Sequence, residues 1–348
     1  MHRIRDGIVR TPCQRSHWLS EMTGSHLYLK REQEQFTGSF KERGARNALL
    51  SLTEEEARLG VVAASAGNHA LALCWHGLQL GIPVTVVMPT IAPMAKVDKC
   101  KIFGANVVIH GSHIGEAKQH ALDVYGDLSY INGYDDLPII AGTGTLGVQL
   151  ACSSHKFRPE GPSPCLTLRT RPNLTLILTL DPHPRPEGME MLEQLPDADA
   201  VVVPIGGGGL IAGIALAVKT LNPNVRVIGV EPQRCASYTA ALAAGMPVLA
   251  DVVPTLADGL AVPKVGSNAF SVARHWVDET VVIDEQDVAL SVLRLLEGEK
   301  MVVEGGGATG LAAMLPGRPL DRADLKGKKV LVPLCGGNID VTVRCAPS

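Results

Sequence analysis

The sequence lacks an excess of charge of either sign. Its 348 residues include 32 basic and 35 acidic side chains, which gives a formal net charge of −3. Because binding to a phosphate backbone requires a positive surface, this balance argues against nucleic acid as a partner. Charged residues make up 19% of the chain and hydrophobic residues 46%. This composition excludes a largely disordered chain and predicts extensive burial.

Paired cysteines and an export signal are missing as well. The eight cysteines contain no C-x-x-C pair, and a chain of this length has no need of disulfides to be stable. The first six residues, MHRIRD, do not begin an apolar stretch of the length that a secretory signal needs. We therefore expect reduced thiols in a cytoplasmic protein.

One uncharged stretch, residues 200–218, approaches the length of a membrane span. Its order argues against that interpretation, because a β-branched run at 201–205 is followed by four glycines and then by a helical pattern over 210–221. The stretch predicts a buried strand, a turn and a helix, and we expect no membrane association.

Short β-branched segments alternate with helical patterns along most of the chain. This alternation predicts an α/β fold with two open, mostly parallel sheets that carry helices on both faces. In the first series, strands are predicted at 61–64, 83–87 and 106–110, with helices at 68–80 and 92–103. In the second, strands are predicted at 200–205, 225–230, 280–283 and 329–334, with helices at 210–221, 287–296 and 308–314.

The length exceeds what one hydrophobic core usually holds, so two domains are expected. A strand at 26–30 and a helix at 42–52 are assigned to the larger sheet. The predicted large domain therefore comprises residues 1–58 and 141–348, and the small α/β domain comprises residues 59–140.

Residues 151–191 interrupt the pattern, because seven prolines fall within this stretch. Residues 174–180 alone look strand-like, and their flanking prolines favour a loop or an edge segment. Removing 151–191 joins residues 146–150 to 192–195 in one helical pattern. We interpret the stretch as a Pro-rich insertion in the large domain and hypothesise that it arises from alternative splicing or an error in the gene model.

Two motifs place chemically useful groups at predicted helix starts. Lys41 follows Ser39 and Phe40 at the beginning of a helix, where the helix dipole and burial both favour a neutral, nucleophilic amine. Residues 65–69, SAGNH, follow the first strand of the small domain and offer free backbone N–H groups to a carboxylate or a phosphate. Alternatives are a solvated lysine and an ordinary helix cap.

Two further motifs lie between a strand and the next element. Gly206, Gly207, Gly208 and Gly209 allow the backbone to approach an anion closely, although a simple tight turn is an alternative. The sequence CGGN at 335–338 follows the last predicted strand, at the sheet edge where ligands of open α/β sheets gather. A cysteine there is often only structural.

The four motifs together, SFKxRGA from Ser39, SAGNH from Ser65, the four glycines and CGGN from Cys335, resemble the fold-type-II pyridoxal phosphate enzymes, whose fold is like that of the tryptophan synthase β subunit. Within these enzymes the chain is most similar to the threonine/serine dehydratases, and serine racemases are close to it. The resemblance extends from residue 4 to residue 340, apart from residues 151–191.

The resemblance implies a role for each motif. Lys41 forms the Schiff base with the cofactor aldehyde, and Phe40 packs beside the cofactor ring. Gly206–Gly209 cradle its phosphate, Asn68 bonds its 3′-oxygen, and Cys335 lies at its pyridine nitrogen. The substrate carboxylate is held by the segment Ser65, Ala66, Gly67, Asn68 and His69.

The implied reaction is the α,β-elimination of water from L-threonine or L-serine, which yields 2-oxobutanoate or pyruvate and ammonia. Lys41, once freed from the cofactor, removes the α-proton. Serine racemases place a second serine where this chain has Ala66, and an alanine cannot move a proton. The resemblance therefore favours a lyase, with a racemase as the alternative.

Three further expectations follow from the resemblance. Relatives that bind a divalent cation use a glutamate matched by Glu231 and an acidic residue where this chain has Ser237, so Glu231 is a possible ligand of an incomplete site. A homodimer that acts on a small amino acid is expected. A chain of a different class, a catalytically impaired splice form or partner subunit that retains the fold, is the second hypothesis.

Overall fold

The computed structural model describes residues 3–147 and 190–339, together with the backbone of two strands between them. In chain order the strands are β1 (Cys13–Arg15), β2 (His26–Lys30), β3 (Val61–Ala64), β4 (Val84–Met88), β5 (Asn106–Ile109), β6 (Ser129–Tyr130), β7 (Leu166–Arg171), β8 (Leu174–Leu178), β9 (Ala200–Pro204), β10 (Arg226–Pro232), β11 (Glu279–Ile283) and β12 (Lys329–Pro333).

The helices of this part of the chain are α1 (His17–Thr23), α2 (Lys41–Leu49), α3 (Glu54–Leu59), α4 (Asn68–Leu80), α5 (Met94–Ile102), α6 (Ile114–Val124), α7 (Leu137–Gly144), α8 (Met191–Gln194), α9 (Gly209–Leu221), α10 (Ser237–Ala244), α11 (Ser267–Trp276), α12 (Glu285–Arg294) and α13 (Gly305–Ala312).

The larger sheet has six strands in the order β1-β2-β12-β9-β10-β11, and every pair except β1 with β2 is parallel. Successive residues of β9 belong to different cores: Val201 and Val203 pack with α9 and α11, whereas Ala200 and Val202 pack with α12 and α13. Because strand side chains alternate between faces, this division shows helices on both faces of the sheet.

The smaller sheet has four parallel strands in the order β5-β4-β3-β6. Val61 and Ala63 face a core with α4 and α5, and Val62 faces a smaller core with α6. Helix α4 ends at Gly81, which has the left-handed conformation (φ +68°) that a glycine adopts readily at a helix end. The predicted α/β class with two helix-covered sheets is confirmed.

Helix α2 links the two sheets in a way that the sequence did not indicate. Its buried residues Ala45, Ala48 and Leu49 share a core cluster with β3, β4 and α4. The predicted placement of this helix with the larger sheet is therefore wrong for its carboxyl half. The division into domains at residues 58/59 and 140/141 stays a prediction.

Ion pairs among four buried charged side chains connect the first turn of α2 to the larger sheet. The Arg43 guanidinium donates to both carboxylate oxygens of Glu32, at 2.7 and 2.8 Å, and to both oxygens of Glu190, at 2.9 and 3.1 Å. The Lys30 ammonium donates to Glu190 at 2.5 Å. Two cations and two carboxylates balance, which is the condition under which buried charges are tolerated.

Glu190 and Met191 were predicted to lie within the insertion, and the structure places both in the interior. The Met191 N–H donates to the Leu146 carbonyl at 3.0 Å. With residues 148–188 removed, Met191 would be four positions after Leu146, which is the spacing of an α-helical hydrogen bond. This spacing is what an insertion within one helix would give, and it favours an end of the insertion before residue 190; the insertion itself stays a prediction.

Two predictions concern the remaining segments. Strand β8 (174–178) pairs in an antiparallel manner with β7 in a separate two-stranded sheet, so the predicted loop or edge segment is an edge strand. The uncharged stretch 200–218 forms β9, the glycine bend and α9, as predicted. In the described ranges, no helix combines the length and the apolarity that crossing a bilayer demands.

Candidate active site

Three of the predicted motifs follow the carboxyl ends of parallel strands, where open α/β sheets bind their ligands. Residues 65–69 follow β3, Gly206–Gly209 follow β9, and Cys335 follows β12. Lys41 begins α2 and is tied to the end of β12, because the Phe40 N–H donates to the Cys335 carbonyl at 3.0 Å.

The Lys41 amine is buried near these strand ends. Its Nζ donates to the Gly133 carbonyl and is 5.2 Å from the centroid of the Phe40 ring. Burial lowers the pKa of the Lys41 amine to about 8, while the nearby Cys335 and Glu304 act in the opposite direction. At pH 7 about a tenth of the amine is therefore unprotonated, and at pH 8 about half, in the form that a nucleophile or a base requires.

Asn68 is held in the site by a chain of side-chain hydrogen bonds. Its amide nitrogen donates to Glu304 Oε1 at 2.5 Å, and its amide oxygen accepts from Asn338 at 2.8 Å. Burial raises the pKa of Glu304 to about 7, and the charge of Asp258 adds to this effect. Glu304 is therefore a carboxyl group that can hold a proton near neutral pH.

The segment from Ser65 to Gly67 borders an open space. A Cβ atom built on Gly67 would meet no atom within 4 Å. Gly67 precedes α4 and has no side chain that could cap the first-turn N–H groups of this helix. Ser65 Oγ accepts from the Gly67 N–H at 3.3 Å. This arrangement suits a carboxylate.

The side chain of His69 packs in the protein interior, against residues 131 and 133. Its Nε2 is 3.2 Å from the Ile131 carbonyl, and its ring packs so closely on Gly133 that a Cβ there would come within 2.6 Å. Burial lowers the pKa of His69 to about 3, so the ring is neutral. His69 belongs to the predicted substrate-binding segment, but its side chain contacts the protein interior.

The four-glycine bend presents unpaired backbone donors. The N–H groups of Gly206, Gly207 and Gly208 have no acceptor among the described residues. Gly208 has a φ of +88°, a conformation that residues with a side chain rarely adopt. A Cβ at Gly207 would lie 2.3 Å from the Tyr134 ring. The bend thus requires glycine and offers several donors to one anion.

Cys335 is buried, and its Sγ is 3.5 Å from the Pro333 carbonyl. Burial raises the pKa of its thiol well above the ordinary value, and the nearby Glu32 and Glu304 add to the shift. The thiol therefore stays neutral at physiological pH.

Glu231, the possible metal ligand, caps a helix. Its carboxylate accepts from the Tyr238 N–H at 2.7 Å and from both the N–H and the hydroxyl of Thr239, at 2.8 and 2.6 Å. These bonds occupy both carboxylate oxygens at the start of α10. Across residues 3–147 and 190–339, no group of three His, Cys, Asp or Glu side chains is arranged to hold a metal ion.

The chain belongs to the family of pyridoxal-phosphate dependent enzymes, whose model matches residues 4–161 and 187–336. It is 40% identical to an L-threonine ammonia-lyase of Thermotoga maritima over 98% of this chain and 74% of that protein. Among solved structures it resembles the processed form of threonine deaminase isoform 2 from Solanum lycopersicum, with a TM-score of 0.81 and 32% identity, covering 97% of this chain and 87% of that one.

A maize serine racemase is also similar, with a TM-score of 0.82 and 30% identity over 98% of this chain and 92% of that chain. The predicted family and its cofactor class are thereby confirmed.

The residues of the site also fit pyridoxal phosphate: they provide a partly neutral lysine amine, an anion cradle of unpaired N–H groups, and a neutral thiol. The Ser39 hydroxyl is buried and has no hydrogen-bond partner among the residues that the structure describes, so it provides one more polar group at the site.

The sequence did not reveal Glu304 or the loop at 132–135 as parts of the site, and it gave Asn338 only as the last residue of the CGGN motif. A local signal for Glu304 did exist, since it stands between a β-branched pair and three glycines at the start of α13. Its partner Asn68 is 236 residues away in the chain, and only the folded structure shows the contact.

Proposed function

We propose that this protein is an L-threonine/L-serine ammonia-lyase, a carbon–oxygen lyase that uses pyridoxal phosphate. The reaction removes the α-proton and the β-hydroxyl of the substrate and releases 2-oxobutanoate or pyruvate with ammonia. The observation that carries the proposal is the buried Lys41 amine at the start of α2, which donates to the Gly133 carbonyl and whose pKa burial lowers to about 8. The similarity to an L-threonine ammonia-lyase supports it.

Each motif has a proposed part in holding the cofactor. Lys41 binds its aldehyde carbon, the N–H groups of Gly206–Gly209 bind its phosphate, and Phe40 packs beside its ring. Asn68 bonds the ring oxygen, and Cys335 lies at the ring nitrogen. When bound, pyridoxal phosphate withdraws electrons from the α-carbon of an attached amino acid.

Lys41 also acts as the general base once the substrate has replaced it. Because its pKa is near 8, the neutral amine is available to take the α-proton, and the resulting ammonium can donate to the Gly133 carbonyl. The thiol of Cys335 carries no charge, so it does not stabilise a protonated ring nitrogen as an aspartate would. A moderate electron sink of this kind favours elimination over transamination.

The segment of Ser65, Ala66 and Gly67 with the following N–H groups binds the substrate carboxylate. Ala66 has no group that can exchange a proton on the face opposite Lys41. This absence favours elimination over racemisation, although a serine racemase is among the similar structures. A chiral assay of serine recovered after partial turnover separates the two, because the lyase leaves only the L-enantiomer.

The experiment that tests the proposal combines absorbance with product analysis. The purified chain should show the visible absorption of bound pyridoxal phosphate and release 2-oxo acid from L-threonine or L-serine. Both should disappear in Lys41→Ala and persist in Lys219→Ala, whose ion pair with Asp278 lies outside the site. Visible absorption without 2-oxo acid would instead favour a catalytically impaired chain that retains the fold.

We also propose that the enzyme is a cytoplasmic homodimer. Five cysteines of the described residues, Cys13, Cys74, Cys100, Cys235 and Cys335, are free thiols, which agrees with a reducing compartment. Leu249 and Met246 are 78% and 61% exposed, and such side chains are suited to an interface between copies. Sedimentation equilibrium of the purified chain measures the oligomeric state.

A further inference from the structure

Residues Asn132, Gly133, Tyr134 and Asp135 form a loop that leaves β6 of the four-stranded sheet and leads into α7. We refer to it as the crossover loop. Asn132 Oδ1 accepts from the N–H groups of Tyr134 and Asp135, at 3.1 and 3.2 Å. These bonds define the shape of the loop.

Asp135 reaches a helix of the other sheet. Its two carboxylate oxygens accept from the Ser267 N–H at 3.0 Å and from the Ala269 N–H at 2.9 Å, both in the first turn of α11. The Asn268 side chain donates to the Asp135 carbonyl at 2.9 Å. The residue that precedes α11, Gly266, has no side chain to cap the helix, so Asp135 supplies the cap from a distant part of the sequence.

The same helix start is bonded to the four-glycine bend. The Gly266 N–H donates to the Gly207 carbonyl at 3.0 Å. Tyr134 covers the bend directly: a Cβ at Gly207 would lie 2.3 Å from its ring, and a Cβ at Gly209 would lie 2.2 Å from its carbonyl oxygen. The crossover loop, the start of α11 and the bend therefore form one contiguous unit.

The crossover loop also touches the reactive amine, since the Gly133 carbonyl accepts from Lys41 Nζ. The position of this carbonyl follows that of Tyr134 and Asp135, its neighbours in the loop. A displacement of the loop would thus alter both the anion cradle and the acceptor that orients the free amine.

We propose that Asp135 is a positioning residue of the active site, which holds the crossover loop against the glycine bend and thereby keeps the Gly133 carbonyl facing Lys41. The inference rests on the proposed function, because it assigns the bend to the cofactor phosphate. Asp135 itself touches neither the Lys41 amine nor the bend; it acts through α11 and through its own loop.

The test compares two aspartates that cap helices. Asp284 caps α12, where its Oδ1 accepts from the Asp287 N–H at 2.9 Å. We expect Asp135→Ala to release pyridoxal phosphate about tenfold faster than the wild type, as the loss of two hydrogen bonds of ordinary strength would do. Asp284→Ala should lower the melting temperature and leave the release rate unchanged.

A second measurement needs no cofactor. In the cofactor-free chain, amide hydrogen exchange over residues 264–270 should accelerate in Asp135→Ala and stay at the wild-type rate in Asp284→Ala. Faster exchange with wild-type cofactor release would overturn the proposal, because Asp135 would then be only a helix cap. Unchanged exchange would overturn it as well.

Asp135→Asn serves if the alanine variant does not fold. It retains one acceptor oxygen, so an intermediate release rate, about threefold above the wild type, is expected, and a wild-type rate contradicts the inference. A wild-type chain that binds no pyridoxal phosphate at Lys41 would refute the proposed function instead. The two failures are therefore distinguishable.

Discussion

A chain that lacks residues 148–188 should be more stable than the full-length chain. The deletion joins Gly147 to Met189 and places Met191 four positions after Leu146, so the observed hydrogen bond between these two residues becomes part of a continuous helix. Closing a loop of this length costs (3/2)RT ln n, which is about 3 kcal/mol. Removing the loop should recover most of that free energy.

A second deletion of equal length isolates the contribution of Glu190. Removing residues 151–191 keeps the same helical register and places Gln149 at the position of Glu190 and Leu150 at that of Met191. The carboxylate that pairs with Arg43 and Lys30 is then lost. Removing one partner of a buried ion pair costs roughly 3–5 kcal/mol, and Gln149 can still accept a hydrogen bond, which favours the lower value.

The assay is thermal unfolding of the three chains saturated with pyridoxal phosphate. We expect the chain lacking 148–188 to melt about 6 °C above the chain lacking 151–191, since about 3 kcal/mol separates them and each kcal/mol shifts the melting temperature by about 2 °C or more. Gln149→Glu in the less stable deletion should restore most of the difference.

Two results would refute this reasoning. Equal melting temperatures of the two deletions would show that the Glu190 carboxylate does not offset the charges of Arg43 and Lys30. A chain lacking 148–188 that melts below the full-length chain would show that Leu146 and Met191 do not belong to one helical register.

Two further predictions concern titrating groups of the cofactor-free chain. Pyridoxal phosphate should bind Lys41 at a rate that rises with pH with a midpoint near 8, because only the neutral amine attacks an aldehyde. Stopped-flow absorbance measures this rate, and a rate that does not change with pH would contradict the prediction. The pKa of Glu304 is raised in the folded chain from 4.5 to about 7, so the stability it provides is complete below pH 4.5 and is lost as the pH rises through 7. The free energy of unfolding should fall by about 3 kcal/mol over this range. Urea unfolding at pH 4.5 and 8 should show this fall in the wild type and not in Glu304→Gln. Equal falls in the two proteins would contradict the assignment.

The sequence predicted those elements whose signals are local. Helix α4 has the predicted bounds because its apolar spacing ends at Gly81, which the fold uses as a left-handed cap. Strand β3 was predicted at the correct residues for a similar reason, since it is a short β-branched run after a glycine. By contrast, β6 has only two residues and carries no period that a sequence pattern could reveal.

The parts of the site that escaped prediction depend on distant contacts. Glu190 is 147 residues from Arg43 in the chain, and its position in a Pro-rich stretch concealed a buried ion pair. Asp135 is 134 residues from Ala269, so its sequence surroundings suggest an ordinary polar turn. Motifs built on glycine and lysine were visible because their chemistry is local, whereas partners across the fold were not.

The environments of Lys41 and Glu304 bring their pKa values close together. Burial moves the amine down to about 8 and the carboxyl group up to about 7, although the two start six units apart in their ordinary values, 10.5 and 4.5. Because the pKa of the amine lies above that of the carboxyl group, the ammonium and the carboxylate predominate between pH 7 and 8, and a smaller fraction of each group is in its neutral form. Elimination needs a base for the α-proton, and burial of the Lys41 amine provides one by bringing its neutral form within reach at physiological pH.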